Sequence, residues 1–300
     1  MPFYNSINSC TGALPSCIIK QGVNMDSEDR RSAYRTDIDI RTLPLFGSRQ
    51  GSLLEYYLIN LSSEGLQIGV VPLGDESRAV KAGDQIDLHV ALRFGESTFD
   101  HGKIMWTEYD KEKSALRCGL SLEEASKRES ARSYPVSLSL ETSDIFLEDA
   151  AYESADEILL RIILESARLK VKIGEMLPRI RSSMAARPNA EEHSGAFLAS
   201  LTEGLKEDVR RLHVWYETIE RGTPSEEGLQ ASSGLSDLRG LMRTDLSERL
   251  KNEPSLSVSE ESVLGEIRTL EEQLLINCNS VALLWLGYLA FMYHNLAVQH

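Results

Sequence analysis

The stretch Leu54–Val70, LEYYLINLSSEGLQIGV, contains two short runs with the same spacing of apolar residues. In the first run every second residue from Leu54 to Leu58 is apolar or aromatic, and in the second every second residue from Leu66 to Val70 is apolar. A period of two indicates half-buried strands, and the SSEG between the runs is a turn signal. The stretch therefore predicts two neighbouring strands with one face in a core.

The same period recurs at four other places between residues 37 and 122, in DIDI, IDLHVAL, GKIMWTE and LRCGLSL. The segments between the runs carry turn signals, namely FGSRQGS, PLGDES, KAGDQ and FGEST. Six short strands at this spacing are typical of a small antiparallel barrel or sandwich. Trp106, in GKIMWTE, is predicted to be a core residue rather than a stacking platform, and residues 123–133 are compatible with a short closing helix.

Beyond Pro135 the apolar residues recur every three or four positions, which is the spacing of amphipathic helices. Four such segments are recognised, at 143–182, 197–219, 235–250 and from about Ser259 to the C-terminus. Several helices joined by short links predict a helical bundle. The predicted class is therefore α+β with more than one domain, a six-stranded antiparallel barrel at residues 28–134 followed by a bundle at 141–300.

Residues 1–27 are polar and aperiodic, and we expect them to be a mobile N-terminal tail. The first 24 of them could also be the product of a start codon placed ahead of Met25.

The composition is typical of a soluble globular protein, with 42% hydrophobic residues in a chain of 300. Acidic residues outnumber basic ones by 46 to 32, and the net charge is -14. Binding of long nucleic acids depends on a broad basic surface, so this class of partner is excluded. The four cysteines form no CxxC pair and no metal-ligand spacing with histidines, which predicts free thiols in a reducing cytoplasm.

Three arginines lie close together in RRSAYR, residues Arg30–Arg35, despite the acidic balance of the chain. Twenty-five residues after the last of them, NLSSEG brings Asn60, Ser62 and Gly65 to a strand end. Asn60 and Ser62 can hydrogen-bond a base edge or their own turn. Gly65 allows either a positive φ or the close approach of a ligand.

The two motifs in this order, RxxxR at Arg31–Arg35 and [D/N]xSxxG at Asn60–Gly65, resemble those of the PilZ domain. The strand AVKAGDQIDLHVAL and the hairpin GKIMWTEYDKEKSALRCGLSLEE extend the resemblance over about residues 28–130. The resemblance implies a receptor for the bacterial second messenger cyclic di-GMP, which carries two guanines and two phosphates. Arginine suits both groups, because its planar fork matches guanine O6/N7 and phosphate oxygens.

The resemblance also implies a role for each motif residue. The two motif arginines, Arg31 and Arg35, would lie on an arm that folds over the ligand. Asn60 and Ser62 would read a guanine edge, while Gly65 would shape the turn.

Arg30 has a separate implication within the family. A basic residue just before RxxxR tends to accompany binding of a stacked ligand dimer. Arg30 would then be an extra contact to a second messenger molecule, and the expected stoichiometry is two messengers per barrel.

No catalytic motif is present, because HExxH, GxSxG, GxxxxGK[ST] and a strand followed by GxGxxG are all missing from the sequence. The signatures of messenger synthesis and hydrolysis, GGDEF and EAL, are missing in their usual form too. The sequence therefore predicts a protein that is not an enzyme and has no metal or cofactor besides its ligand.

The C-terminal segment has an uninterrupted apolar run of 13 residues, from Val281 to Tyr293. A membrane span needs about 20 apolar residues, so a membrane tail is disfavoured. We expect Trp285, Leu289 and Met292 to form a subunit interface of a homo-oligomer instead. The helical half would be an output domain, in which messenger binding is converted into a change of conformation or assembly that an unknown downstream protein reads. The alternative is a structural oligomerisation protein whose PilZ-like scaffold does not bind the messenger, but the presence of both motifs favours the receptor.

Overall fold

A computed structural model of the chain divides it into two compact units, Met1–Tyr152 with Ala282–His300 and Glu153–Val281. The structure describes residues 18–20, 36–39, 44–62, 65–71, 80–111, 115–124, 134–141, 144–147, 154–184, 191–221, 232–252 and 261–298. Most of residues 1–27 lie outside these ranges, and so does the predicted closing helix from residue 125 on. The first two residues of that predicted helix, Glu123 and Glu124, belong to a strand instead.

The described part of the first unit contains one sheet of ten strands. They are β1 (Ile18–Lys20), β2 (Thr36–Asp39), β3 (Leu45–Arg49), β4 (Ser52–Ser62), β5 (Gly65–Val70), β6 (Gln85–Phe94), β7 (Ser97–Asp110), β8 (Ala115–Glu124), β9 (Ser137–Glu141) and β10 (Asp144–Leu147). The strand order is β1-β2-β4-β5-β8-β7-β6-β9-β10, and β3 pairs with both β4 and β6. β1 lies within the segment that was expected to be a mobile tail, and its Ile19 pairs with Ile38 of β2.

Six of these strands, in the order β3-β4-β5-β8-β7-β6, close into an antiparallel barrel. The predicted barrel is confirmed, but one of its strands is not the predicted one. DIDI contributes to β2, which pairs with β4 outside the ring, and the sixth strand is β3, whose residues had been assigned to a turn. Gly47 explains how so short a strand closes the ring, since a Cβ there would lie 2.5 Å from the Asp87 carbonyl oxygen.

The barrel interior is filled by the apolar side chains of the alternating positions. Tyr56 is fully buried among them, and its hydroxyl donates to the Leu88 carbonyl oxygen at 2.8 Å. Burial raises the pKa of Tyr56 well above its usual value, so the phenol stays protonated. Other members of this core are Leu58, Ile68, Ile86, Ile104, Cys118 and Leu120.

The described residues from 154 onward form five helices. They are α1 (Ala155–Met184), α2 (Glu191–Glu220), α3 (Ser232–Leu241), α4 (Leu246–Lys251) and α5 (Glu261–Val298). In this described part of the chain no helix combines the length and the apolar character that a membrane crossing requires.

The first helix starts later than its apolar spacing predicted. Residues 144–147, within the helix expected from 143, form β10, because Ile145 pairs with Leu140 of β9. The helix begins after Ser154, whose backbone N–H donates to the Glu157 carboxylate at 3.0 Å while Glu157 N–H donates to Ser154 Oγ at 3.2 Å. This reciprocal capping box determines the start of α1.

Four of the five helices share a single hydrophobic core. Its buried members are Leu169, Ile173, Leu177 and Ile180 of α1, Leu198, Leu201 and Leu205 of α2, Leu246 and Leu250 of α4, and Ile267 and Leu274 of α5. The helix predicted over 235–250 is in fact two helices, α3 and α4. The chain leaves the helical path between them, where the Arg243 carbonyl oxygen accepts from Lys170 Nζ at 3.0 Å.

Charged groups lie inside this helical unit as well. Lys170 is fully buried, and its ammonium donates to Asp208 Oδ2 at 2.5 Å. Desolvation lowers the pKa of Lys170, while Asp208 and Glu271 oppose the change.

Glu271 of α5 holds the other side of the α3–α4 connection. Its carboxylate accepts from the backbone N–H of Leu246 at 2.6 Å and of Ser247 at 3.1 Å, and from the Ser247 hydroxyl. Asp245, the N-cap residue of α4, makes no side-chain cap bond. Glu271 thus caps α4 from another helix, and burial raises the pKa of its carboxyl.

Candidate functional site

The strand that follows the sequence-predicted arginines pairs with the strand that carries the second motif. Arg30, Arg31 and Arg35 lie outside the described residues, in the interval between β1 and β2. Thr36, which follows Arg35 in the sequence, pairs with Leu61 of β4. Leu61 is the residue between Asn60 and Ser62, so the chain enters the sheet beside the second motif.

A bulge in β4 decides which face the second motif occupies. The pairing of β4 with β5 shifts register between Leu58 and Asn60. Side chains alternate along a regular strand, so without the shift Asn60 and Ser62 would share the inner face of Leu58. After the bulge it is Leu61 that lies in the core, paired with Leu66, and the two motif side chains take the other face.

Asn60 belongs to a row of residues that crosses four barrel strands. It pairs with Gln67 of β5, Gln67 pairs with Gly119 of β8, and Gly119 pairs with Trp106 of β7. Residues that pair directly across strands project to the same face. Since Trp106 is 41% exposed, this row lies on the outer face of the barrel.

Gln67, which lies beside Asn60 at the polar end of the row, contacts Arg117 of β8, a residue that pairs with Gly69. We call the side chains of Asn60, Gln67 and Arg117 the amide relay. The Gln67 carboxamide lies between the other two. One of its ends is 2.6 Å from the Asn60 amide, and its other end is 2.7 Å from Arg117 Nη2 and 3.1 Å from Arg117 Nε. Sequence reasoning missed Gln67 and Arg117, because only the strand register brings them next to Asn60.

Ser62 and Gly65 hold the end of the β4–β5 pair. The Ser62 hydroxyl donates to the Gly65 carbonyl oxygen at 3.2 Å and is buried. A Cβ at Gly65 would lie 2.4 Å from the Leu120 carbonyl oxygen of β8. The glycine therefore permits the close approach of two strands, a third reason besides the positive φ and the ligand approach that the sequence suggested.

Trp106 is not a core residue, and that prediction is wrong. The β7–β8 pairing shifts register between Ile104 and Trp106, so a bulge moves the indole to the outer face. There it lies over Gly119, where a Cβ would be 2.1 Å from Trp106 Nε1. The glycine leaves room for the flat ring, and the indole becomes an exposed aromatic surface beside the amide relay.

Reactive groups are scarce in this part of the barrel. The thiol of Cys118 is buried, and burial raises its pKa to about 12, so it is not a thiolate near neutral pH. Among the residues that the structure describes, no three His, Cys, Asp or Glu side chains are grouped as a metal site. The geometry offers hydrogen-bond donors, acceptors and an aromatic face, which are binding groups.

Neither a protein-family model nor a curated protein matches this chain.

Proposed function

We propose that the chain is a PilZ-like receptor for cyclic di-GMP, in which the barrel binds the messenger and the helices form an output bundle. The observation that carries the proposal is the pairing of Thr36 with Leu61. Through it, the strand that directly follows the RxxxR motif pairs with the strand that ends in the second motif, on a closed six-stranded barrel.

The chemistry of the outer face supports a guanine nucleotide as ligand. Arg31 and Arg35 would supply charge and a planar fork for phosphate and for guanine O6/N7. Asn60 is only half-buried and has an amide that can read a base edge. Ser62 is buried and donates its proton within the turn, so it would hold the turn beside Asn60 rather than contact the base itself.

The calorimetric titration of the full chain with cyclic di-GMP tests this function. We expect two messengers per barrel, and one or fewer in Arg30→Leu, since a second ligand brings two more phosphates that need a partner. A wild-type ratio of one ligand per chain would contradict the stoichiometry alone. The lack of any heat of binding at micromolar protein would contradict the receptor and favour the structural alternative.

Trp106 extends the proposed site with a surface on which a base can stack. Stacking of a base on an aromatic side chain contributes about 1–3 kcal/mol. We therefore expect Trp106→Leu to weaken binding about tenfold, measured by the same titration. Tyr109→Leu is the control, because Tyr109 is an aromatic of the same strand that is 55% exposed and lies outside the row of Asn60. Equal affinities of the Trp106 variant and the wild type would remove Trp106 from the site.

We further propose that the protein is a homo-oligomer, most simply a two-fold dimer, through the C-terminal part of α5. The proposed interface includes Trp285, Leu289 and Met292; the side chains of the last two lie outside the described part. Light scattering of the purified chain without detergent measures this, and a monomer at micromolar concentration would contradict it.

A further inference from the structure

We infer that Arg117, acting through Gln67, determines which edge of a guanine Asn60 can read. This inference rests on the proposed function and adds a specificity-determining pair to it. Neither Arg117 nor Gln67 belongs to the two motifs.

Arg117 determines the orientation of the Gln67 carboxamide. Arg117 is always protonated, so its Nη2 and Nε are donors only. The Gln67 atom at 2.7 Å and 3.1 Å from them must therefore be the oxygen. The reverse orientation, in which Asn60 Nδ2 donates to Gln67 Oε1 at 2.6 Å, would turn the Gln67 nitrogen against two donors. Since Gln67 is only 6% exposed, water cannot relieve that conflict.

Gln67 in turn determines the orientation of the Asn60 carboxamide. With its oxygen toward Arg117, Gln67 turns its amide nitrogen toward Asn60, across the same 2.6 Å contact. A nitrogen that donates needs an acceptor, so the Asn60 carboxamide presents its oxygen to Gln67. The Asn60 amide nitrogen then points away from Gln67, and the half-buried side chain offers a donor to a ligand.

The orientation of Asn60 determines which edge of the base it can hydrogen-bond. One edge of guanine carries the acceptors O6 and N7, whereas the 2-amino group on another edge is a donor. A donor at Asn60 complements the O6/N7 edge. Arg117 therefore makes Asn60 a reader of that edge, although Arg117 itself contacts only Gln67 in this relay.

Two analogues of the messenger separate the edges. Cyclic di-GMP built with 7-deazaguanine lacks the N7 acceptor, and cyclic di-inosine monophosphate lacks the 2-amino group. In the wild type we expect the 7-deaza analogue to bind about tenfold more weakly than the parent. In Arg117→Met, which keeps the aliphatic stem but removes the donors, this ratio should fall at least threefold, because Gln67 and Asn60 can then turn over.

Asn60→Asp gives the reciprocal test. An aspartate offers only acceptors, so this variant should become sensitive to loss of the 2-amino group, with about tenfold weaker binding of the inosine analogue than of the parent. If the 7-deaza ratio is the same in the wild type and in Arg117→Met, or if the wild type discriminates against the inosine analogue instead, the inference is overturned.

A measurement without ligand keeps this result apart from the proposed function. In the NMR spectrum of the unliganded full chain, scalar couplings across the hydrogen bonds should link Arg117 Nε to the Gln67 carboxamide carbon, and the Gln67 amide nitrogen to the Asn60 carboxamide carbon. A coupling from the Asn60 amide nitrogen to the Gln67 carboxamide carbon would instead refute the relay, even if Arg117→Met fails to fold. Lack of messenger binding by the wild type would instead refute the receptor, while the spectrum still decides the amide orientation.

Discussion

Alanine at Arg35 or at Arg31 is expected to weaken cyclic di-GMP binding by one to two orders of magnitude and to leave the fold intact. A charge-assisted hydrogen bond contributes about 1.5–3 kcal/mol, which is the size of this loss. Arg35 directly precedes Thr36, whose backbone pairs with Leu61 of β4. Arg35 is therefore the motif arginine nearest along the chain to the second motif. The measurement is calorimetric titration of each variant.

Two further variants make this result specific. Arg35→Lys keeps the charge but loses the planar fork, so we expect an affinity between those of the wild type and Arg35→Ala. Arg168→Ala removes an exposed arginine of α1 whose partner is Glu165, and should not change binding. Unchanged titration curves for both alanine variants of the motif would refute the receptor assignment.

The second large effect is expected in the helical unit, where Lys170→Ala should lower the free energy of unfolding by about 3–5 kcal/mol. The ammonium of Lys170 is the buried partner of Asp208 and of the Arg243 carbonyl oxygen. Its removal leaves these acceptors and the nearby carboxylate of Glu271 without their cation, and it opens a cavity. Urea unfolding followed by far-UV circular dichroism measures the change.

An exposed ion pair supplies the matched control. Glu217 lies in the last turn of α2 and Arg221 directly follows the helix, with 2.8 Å between Arg221 Nη2 and Glu217 Oε2. Surface pairs of this kind contribute about 0.3–0.5 kcal/mol, so Arg221→Ala should be nearly neutral. If Lys170→Ala costs no more than this control, the buried cluster does not hold the α3–α4 connection.

The pH dependence of the free energy of unfolding tests the role of Lys170 independently. Its pKa is lower in the folded chain than in the unfolded chain, so the unfolded chain binds more protons between the two values. Stability from this group therefore rises with pH over that interval, which lies below 10.5. Lys170→Met, which has no titrating group, should lose this rise.

Several features of this protein could be predicted from the sequence because they depend on local spacing. The alternation in Leu54–Val70 predicted β4 and β5, and the spacing of apolar residues beyond Pro135 predicted helices that the structure confirms. Hydrophobic periodicity carries this information because a residue and its second or fourth neighbour share a face whatever the rest of the chain does. The positions of Asn60, Ser62 and Gly65 at a strand end were readable for the same reason.

The tertiary structure alone decided which strands close the barrel and which face the site residues occupy. β3 was read as a turn because it has only five residues and includes Gly47. The glycine is needed there because a Cβ would clash with the Asp87 carbonyl oxygen, which belongs to a strand 40 residues away. Bulges before Asn60 and before Trp106 each insert one residue into a strand. An inserted residue turns every later side chain to the opposite face, and its place depends on the partner strand. A strand with an unbroken period of two would have turned both Asn60 and Trp106 inward, and the bulges opposite β5 and β8 turn them outward instead.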